Sequence, residues 1–234
     1  NVYTKIGGAY IVSRDNFGPV VAQIAAVALM LDYIVTVAIQ SAAGVAAIIS
    51  TFPSLHPWKI PMILLVIVFL TYGNLRGVKE AGKAFALPTY FFISCMFIVF
   101  GIGIYRHFAG TLETLATDQV GAVPLGEGHG LLTFAAIFIL LRAFANGGSS
   151  LTGLEAISDG VALFKTPEHV NAKRTLVVMS TLLGTLVLGV SYFAHHIHAM
   201  PYESGVPTVI SQIAKAAVGT GTFGSIMFIM VQLA

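Results

Sequence analysis

From Asn16 to Trp58 the chain contains a single Asp, Glu, Lys or Arg: Asp32, near the middle of the run. The pattern repeats. No such charge falls between Lys59 and Arg76, between Lys83 and Arg106, between Glu127 and Arg142, or between Arg174 and Glu203. Apolar runs of about 20 residues match the thickness of a bilayer's hydrocarbon core. Over that depth every backbone N–H and C=O must be satisfied within the protein, which for a single segment means an α-helix. Composition agrees: 9% of the residues are charged and 56% hydrophobic, whereas soluble domains carry about 25% charged residues. The expected fold class is therefore an all-α membrane protein, a helical bundle forming a single transmembrane domain across 1–234.

Helices are expected near 18–50, 60–75, 84–106, 131–164, 175–195 and 220–234. The fourth stretch is too long and too polar for one ordinary span, and a break is expected at about 146–150. Residues 207–218 show apolar positions at helical spacing but are too short to span, and are expected to form a surface helix at the membrane boundary. The chain does not begin with Met and stops inside an apolar run at Ala234, so it reads as the middle of a longer protein.

Charge sets the expected orientation. Lys5, Arg14, Arg76, Lys79, Lys83, Lys165, Lys173 and Arg174 fall on one side, against Lys59, Arg106 and Lys215 on the other. The positive-inside bias puts the first group, with the loops 73–83 and 165–174, in the cytoplasm. A net charge of +2 gives no reason to expect a nucleic-acid partner. The lone Cys95 reads as a small core residue.

Four strongly polar side chains fall within the spans: Asp32, Arg142, Glu155 and Asp159. A charge at the bilayer centre costs about 2.5 kcal/mol or more on insertion scales, so such residues face a partner or a water-filled path. Asp32, Thr36 and Gln40 recur every four residues, which lines a carboxylate, a hydroxyl and an amide along one helix face. Oxygen ligands of this kind suit a hard cation or a proton. In Arg142-Ala-Phe-Ala-Asn-Gly-Gly-Ser-Ser-Leu-Thr-Gly-Leu-Glu155, the paired glycines and serines Ser149 and Ser150 invite a helix break. The half-helix ends left there bind substrates and ions in transporters. Thr152 and Glu155, three residues apart, share one face beyond it. Arg142 either neutralises an acid or snorkels outward. His195, His196 and His198 crowd one span end, but their spacing matches no zinc signature and no metal site is expected there. No nucleophile–base arrangement suggests an enzyme.

These residues carry a resemblance. Gly7-Gly-Ala-Tyr10 with Arg14 and Gly18 resembles the loop between the second and third helices of amino acid–polyamine–organocation (APC) transporters, and Thr152-Gly-Leu-Glu155 resembles their broken sixth helix. Leu31-Asp-Tyr-Ile-Val-Thr-Val-Ala, Leu151-Thr-Gly-Leu-Glu-Ala-Ile-Ser-Asp-Gly-Val, Phe164-Lys-Thr-Pro and Asn171-Ala-Lys-Arg-Thr-Leu are similar to the KimA-type potassium uptake transporters of the KUP branch. The resemblance implies a LeuT-like inverted-repeat bundle running from the end of helix 2 to part of helix 8. It also implies secondary active, proton-coupled potassium symport in a bacterial cytoplasmic membrane. Asp32, Thr36, Thr152 and Glu155 would then contact the ion, with Gln40, Ser149, Ser150 and Arg142 as further candidates. Gln40 stands where those transporters carry a smaller hydroxyl residue. The alternative is an amino-acid permease of the same superfamily, and a distant one is an intramembrane metal-dependent enzyme. No cofactor is expected beyond the transported potassium and protons. The expected partners are the lipid bilayer and a small cation or amino acid, with a homodimer possible.

The resemblance also implies that half of the central site lies on helices outside this stretch. Vesicles holding only residues 1–234 should therefore accumulate no rubidium above empty vesicles, and measurable accumulation would contradict the assignment.

Overall fold

A computed structural model describes residues 8–76, 78–116, 119–123, 133–148 and 152–234. Among them the regular structure is helical: α1 (Gly8–Phe17), α2 (Pro19–Thr51), α3 (Lys59–Leu75), α4 (Val78–Phe108), α5 (Phe134–Gly148), α6 (Thr152–Asp159), α7 (Glu168–His196), α8 (Val209–Val218) and α9 (Thr222–Leu233). Short 3-10 turns at Pro53–Trp58 and Val161–Leu163 precede α3 and follow α6. Four helical segments are long and apolar enough to cross a membrane: Pro19–Thr51, Pro53–Leu75, Ala86–Phe108 and Glu168–His196.

The chain divides into two compact units, Asn1–Val37 with Leu125–Thr185, and Ala38–Pro124 with Leu186–Ala234. The long helices α2 and α7 contribute to both.

In the first unit, Gly18 separates α1 from α2. Its φ of +85° is a left-handed conformation that glycine adopts without steric cost, and its N–H donates to the Arg14 carbonyl at 3.1 Å. Pro19 follows at the first position of α2, where a missing N–H costs nothing. The chain is helical through Gly148 and again from Thr152. The helix thus extends through Asn146, Gly147 and Gly148, which the sequence places in the break, while Ser149, Ser150 and Leu151 lie outside the described residues. α6 packs against α1. It also approaches α7, since a Cβ on Gly153 would meet Met179 Cε at 3.9 Å. At the head of α7 the Asn171 amide donates to the Lys165 carbonyl at 2.8 Å and Thr175 Oγ1 to the Asn171 carbonyl at 3.0 Å. The first of these bonds fastens the Phe164-Lys-Thr-Pro turn to the helix.

The core of the second unit gathers α4, α8, α9 and the end of α7. Cys95, Met96, Val99, Phe100, Phe193 and Ile197 are all buried there. Phe100 and Phe193 stack with centroids 5.6 Å apart and ring planes at 18°. Each ring occupies the space that a side chain on the other helix would take. A Cβ on Gly103 would lie 2.7 Å from the Phe193 ring, and one on Gly189 would collide with the Phe100 ring. Small residues let helix backbones approach closely where lipid supplies no hydrophobic drive to associate.

The segment expected as a surface helix is instead packed. α8 buries Ser211, Gln212, Ile213, Ala214, Ala216 and Ala217, and its neighbours are α4 and α9. Shortness excluded a span and suggested a surface position. The small side chains on α8 admit neighbours on several sides, and that decides its place. Its N-cap is Thr208, whose hydroxyl accepts from the Ser211 N–H at 3.1 Å. At its other end Arg106 Nη1 donates to the carbonyls of Ala216 and Ala217, both at 3.1 Å. A guanidinium there satisfies carbonyls that no further turn can reach and complements the helix dipole. Gly219 closes α8 with φ +76°, and a Cβ on Gly224 would collide with the Gly219 carbonyl.

The 73–83 stretch expected as a loop is largely helix, with α3 ending at Leu75 and α4 starting at Val78. Arg76 sits with its guanidinium 4.6 Å over the Tyr72 ring.

Two predictions follow from this packing. Gly103→Leu and Gly189→Leu should each destabilise the full-length protein by about 1–3 kcal/mol, the usual range for overpacking, read as a lower midpoint of thermal unfolding in detergent. Equivalent substitutions at Gly101, where a Cβ would meet nothing within 4 Å, should have a smaller effect; equal losses at both kinds of position would contradict the interlocked packing.

Candidate functional site

Asp32 lies on α2, about 20 Å along the axis from Pro19 at 1.5 Å per residue. It is half-buried. Its Oδ2 is fully buried and has no hydrogen-bond partner among the described residues. An ionised carboxylate oxygen removed from water without a donor is costly, by several kcal/mol even after relaxation. A cation bound there would offset that cost. Thr36, one turn further on, is also half-buried.

Thr152 opens α6 and is buried, with 9% of its surface exposed. Glu155 stands one turn later on the same helix; its side chain, like that of Asp159, lies outside the described residues. Asp32, Thr36, Thr152 and Glu155 all belong to the first compact unit. More than a hundred positions separate the two pairs in the chain.

The remaining candidates stand differently. Gln40 is exposed and belongs to the second unit. The reason is helical geometry: at about 100° per residue, a four-residue step turns about 40°, so Gln40 is rotated about 80° from Asp32. Its neighbour Ser41 is buried, and its hydroxyl has no partner among the described residues. Nothing in the sequence pattern singles out Ser41, because periodicity from Asp32 points to the opposite face. Arg142 lies on α5 and is exposed. Ser149 and Ser150 lie outside the described residues. No group of three or more His, Cys, Asp or Glu that could hold a metal ion occurs among the described residues.

The larger cavity belongs to the second unit and holds none of the residues above. Its volume is about 680 Å³, and its polar lining includes Ser50, Thr51, Glu113, Ser211, Gln212 and Lys215. Thr51 Oγ1 is buried there without a partner. A hydroxyl relay runs along one wall: the Thr208 N–H donates to Ser50 Oγ at 3.3 Å, Thr208 Oγ1 meets Ser211 Oγ at 2.6 Å, and Ser211 Oγ donates to Gln232 Oε1 at 2.6 Å. These groups hold the ends of α2, α8 and α9. The lining carries one acid and one base, whereas the first unit places an unpaired carboxyl on a spanning helix. For cation chemistry the second arrangement is the more specific.

The family model described as "Amino acid permease" matches residues 2–234. The chain is 36% identical over 221 residues to the "Potassium transporter KimA" of Bacillus subtilis (strain 168). That match covers 94% of this chain and 35% of the relative, so the chain spans about a third of the relative's length.

If the Asp32 carboxyl is held for binding and not for folding, removing it should not weaken the fold. Asp32→Leu in the full-length protein should unfold at the same or a higher temperature in potassium-free detergent, by up to about 3 kcal/mol of added stability. A lower midpoint would mean that Asp32 serves a structural bond.

Proposed function

The chain belongs to the amino acid permease family of integral membrane transporters, and from that premise we propose that it forms part of a secondary transporter that takes up potassium together with protons. The observation that carries this reading is the buried, unpartnered Oδ2 of Asp32 midway along a spanning helix. Thr36 adds a hydroxyl one turn away, and Thr152 and Glu155 add a second hydroxyl and a second carboxyl within the same unit. Carboxylate and hydroxyl oxygens are hard ligands that suit a hard monovalent cation as they do calcium or magnesium. Symport needs both ions held at once, and two carboxyls in one unit allow that: one can hold potassium while the other carries the proton. The likeness to a potassium transporter supports the choice of ion.

The membrane is then a bacterial cytoplasmic membrane. Arg76, Lys165, Lys173 and Arg174 face the cytoplasm by the positive-inside bias, which puts the shared ends of α4 and α7 on the outer face.

A second reading, an amino-acid permease, is favoured by the family's description. It would use the first-turn N–H groups of a helix to hold a substrate carboxylate. Uptake separates the two: the potassium transporter accumulates rubidium and no labelled amino acid, whereas the permease accumulates a labelled amino acid and no rubidium.

The direct test is rubidium uptake by the full-length protein in proteoliposomes with an imposed proton gradient. Asp32→Asn and Glu155→Gln should each lower the initial rate at least tenfold. Thr36→Val should lower it less, because it removes a neutral ligand. Unchanged rates in both carboxyl variants would overturn the assignment of the site.

A further inference from the structure

Where α4 and α7 end, aromatic and imidazole rings from both helices meet. His107 belongs to α4, and Tyr192, His195 and His196 belong to α7. The His107 and His196 rings are 4.8 Å apart at 86°. The sequence pointed only to the crowding of His195, His196 and His198; the fold adds His107 from eighty-eight positions away in the chain and removes His198. That residue lies past the helix end with φ +57° and has no ring contact among the described residues.

We propose that His107 and His196 form a binding site for a divalent transition-metal ion such as zinc, bridging the ends of α4 and α7. Three observations support it. First, the spacing fits: with metal–nitrogen bonds of about 2.0–2.1 Å, two ligating imidazoles at about 90–110° place their ring centres about 4.5–5.2 Å apart. Second, His196 is already oriented. Its Nδ1 lies 2.8 Å from the Tyr192 carbonyl. A carbonyl can only accept, so Nδ1 carries the proton and Nε2 keeps its lone pair. Holding a ligand imidazole by its other nitrogen is the usual outer support of metal sites. Third, the Tyr192 ring lies tilted against His196, with centroids 4.1 Å apart and planes at 33°, and it meets His107 edge-on at 5.8 Å. Both imidazoles therefore keep their orientation without a metal, which lowers the entropy lost on binding.

Arg106, the residue before His107, is directed elsewhere. It donates to the α8 carbonyls and lies 3.9 Å from Glu113 Oε1. Since no third His, Cys, Asp or Glu joins the pair among the described residues, water completes the coordination. Imidazole nitrogen selects zinc, copper or nickel over magnesium or calcium. The site stands apart from the transport reading and does not depend on it.

Calorimetric titration of the full-length protein in detergent with zinc chloride tests this. Wild type should show a binding step that His107→Gln and His196→Gln each weaken at least tenfold and His198→Gln leaves unchanged. Titration with magnesium should give no such step. Zinc binding that persists in both variants, or that is lost equally in His198→Gln, overturns the proposal. A readout free of substitutions is the electron paramagnetic resonance of copper(II) bound to unaltered protein, which should report two imidazole nitrogens; one or none contradicts the bridge.

Discussion

A carboxyl oxygen buried without a donor on a helix that crosses hydrocarbon is expensive to keep. Asp32 occupies such a position, and α2, on which it lies, carries no other acidic or basic residue. Hydrophobic matching fixes the helix in the membrane; it leaves the carboxyl dependent on what comes to it. A bound cation would offset that cost, and among the described residues no donor competes for the oxygen. Thr36, Thr152 and Glu155 bring further oxygen groups to the same compact unit.

The second unit solves a different problem. Its helices hold together by shape more than by polarity. Phe100 fits over Gly189 and Phe193 over Gly103, so α4 and α7 can meet only at one rotation and one height. Arg106 then binds the last carbonyls of α8, and Thr208 closes the first turn. A short helix of ten residues, too short to be stable alone, is thereby fixed at both ends. The cavity beside it is lined by Ser211, Gln212 and Lys215 of the same helix.

The spans were legible because a bilayer leaves a chain few choices: long uncharged runs must be helices, and α2, α3, α4 and α7 follow from that. Asp32 and Thr36 stood out as candidates because a polar group in such a run has to be explained. Gln40 shows where periodicity fails. A four-residue rule drifts around a 3.6-residue helix, so the third rung of the ladder leaves the face of the first. The place of α8 was not legible, because length and amphipathicity describe a helix and not its neighbours. The same holds for Arg106 and for His107, whose partners come from α8 and α7. Contacts of that kind depend on tertiary packing, which no local pattern encodes.

The central claim is that the Asp32 carboxyl binds potassium. Infrared difference spectroscopy of the full-length protein, with and without potassium at fixed pH, reads that binding through the carboxylate stretching bands. The account predicts that potassium shifts such a band in the unaltered protein and that the shift is absent in Asp32→Asn. A potassium-dependent shift that persists unchanged in Asp32→Asn, or none in the unaltered protein, would contradict it.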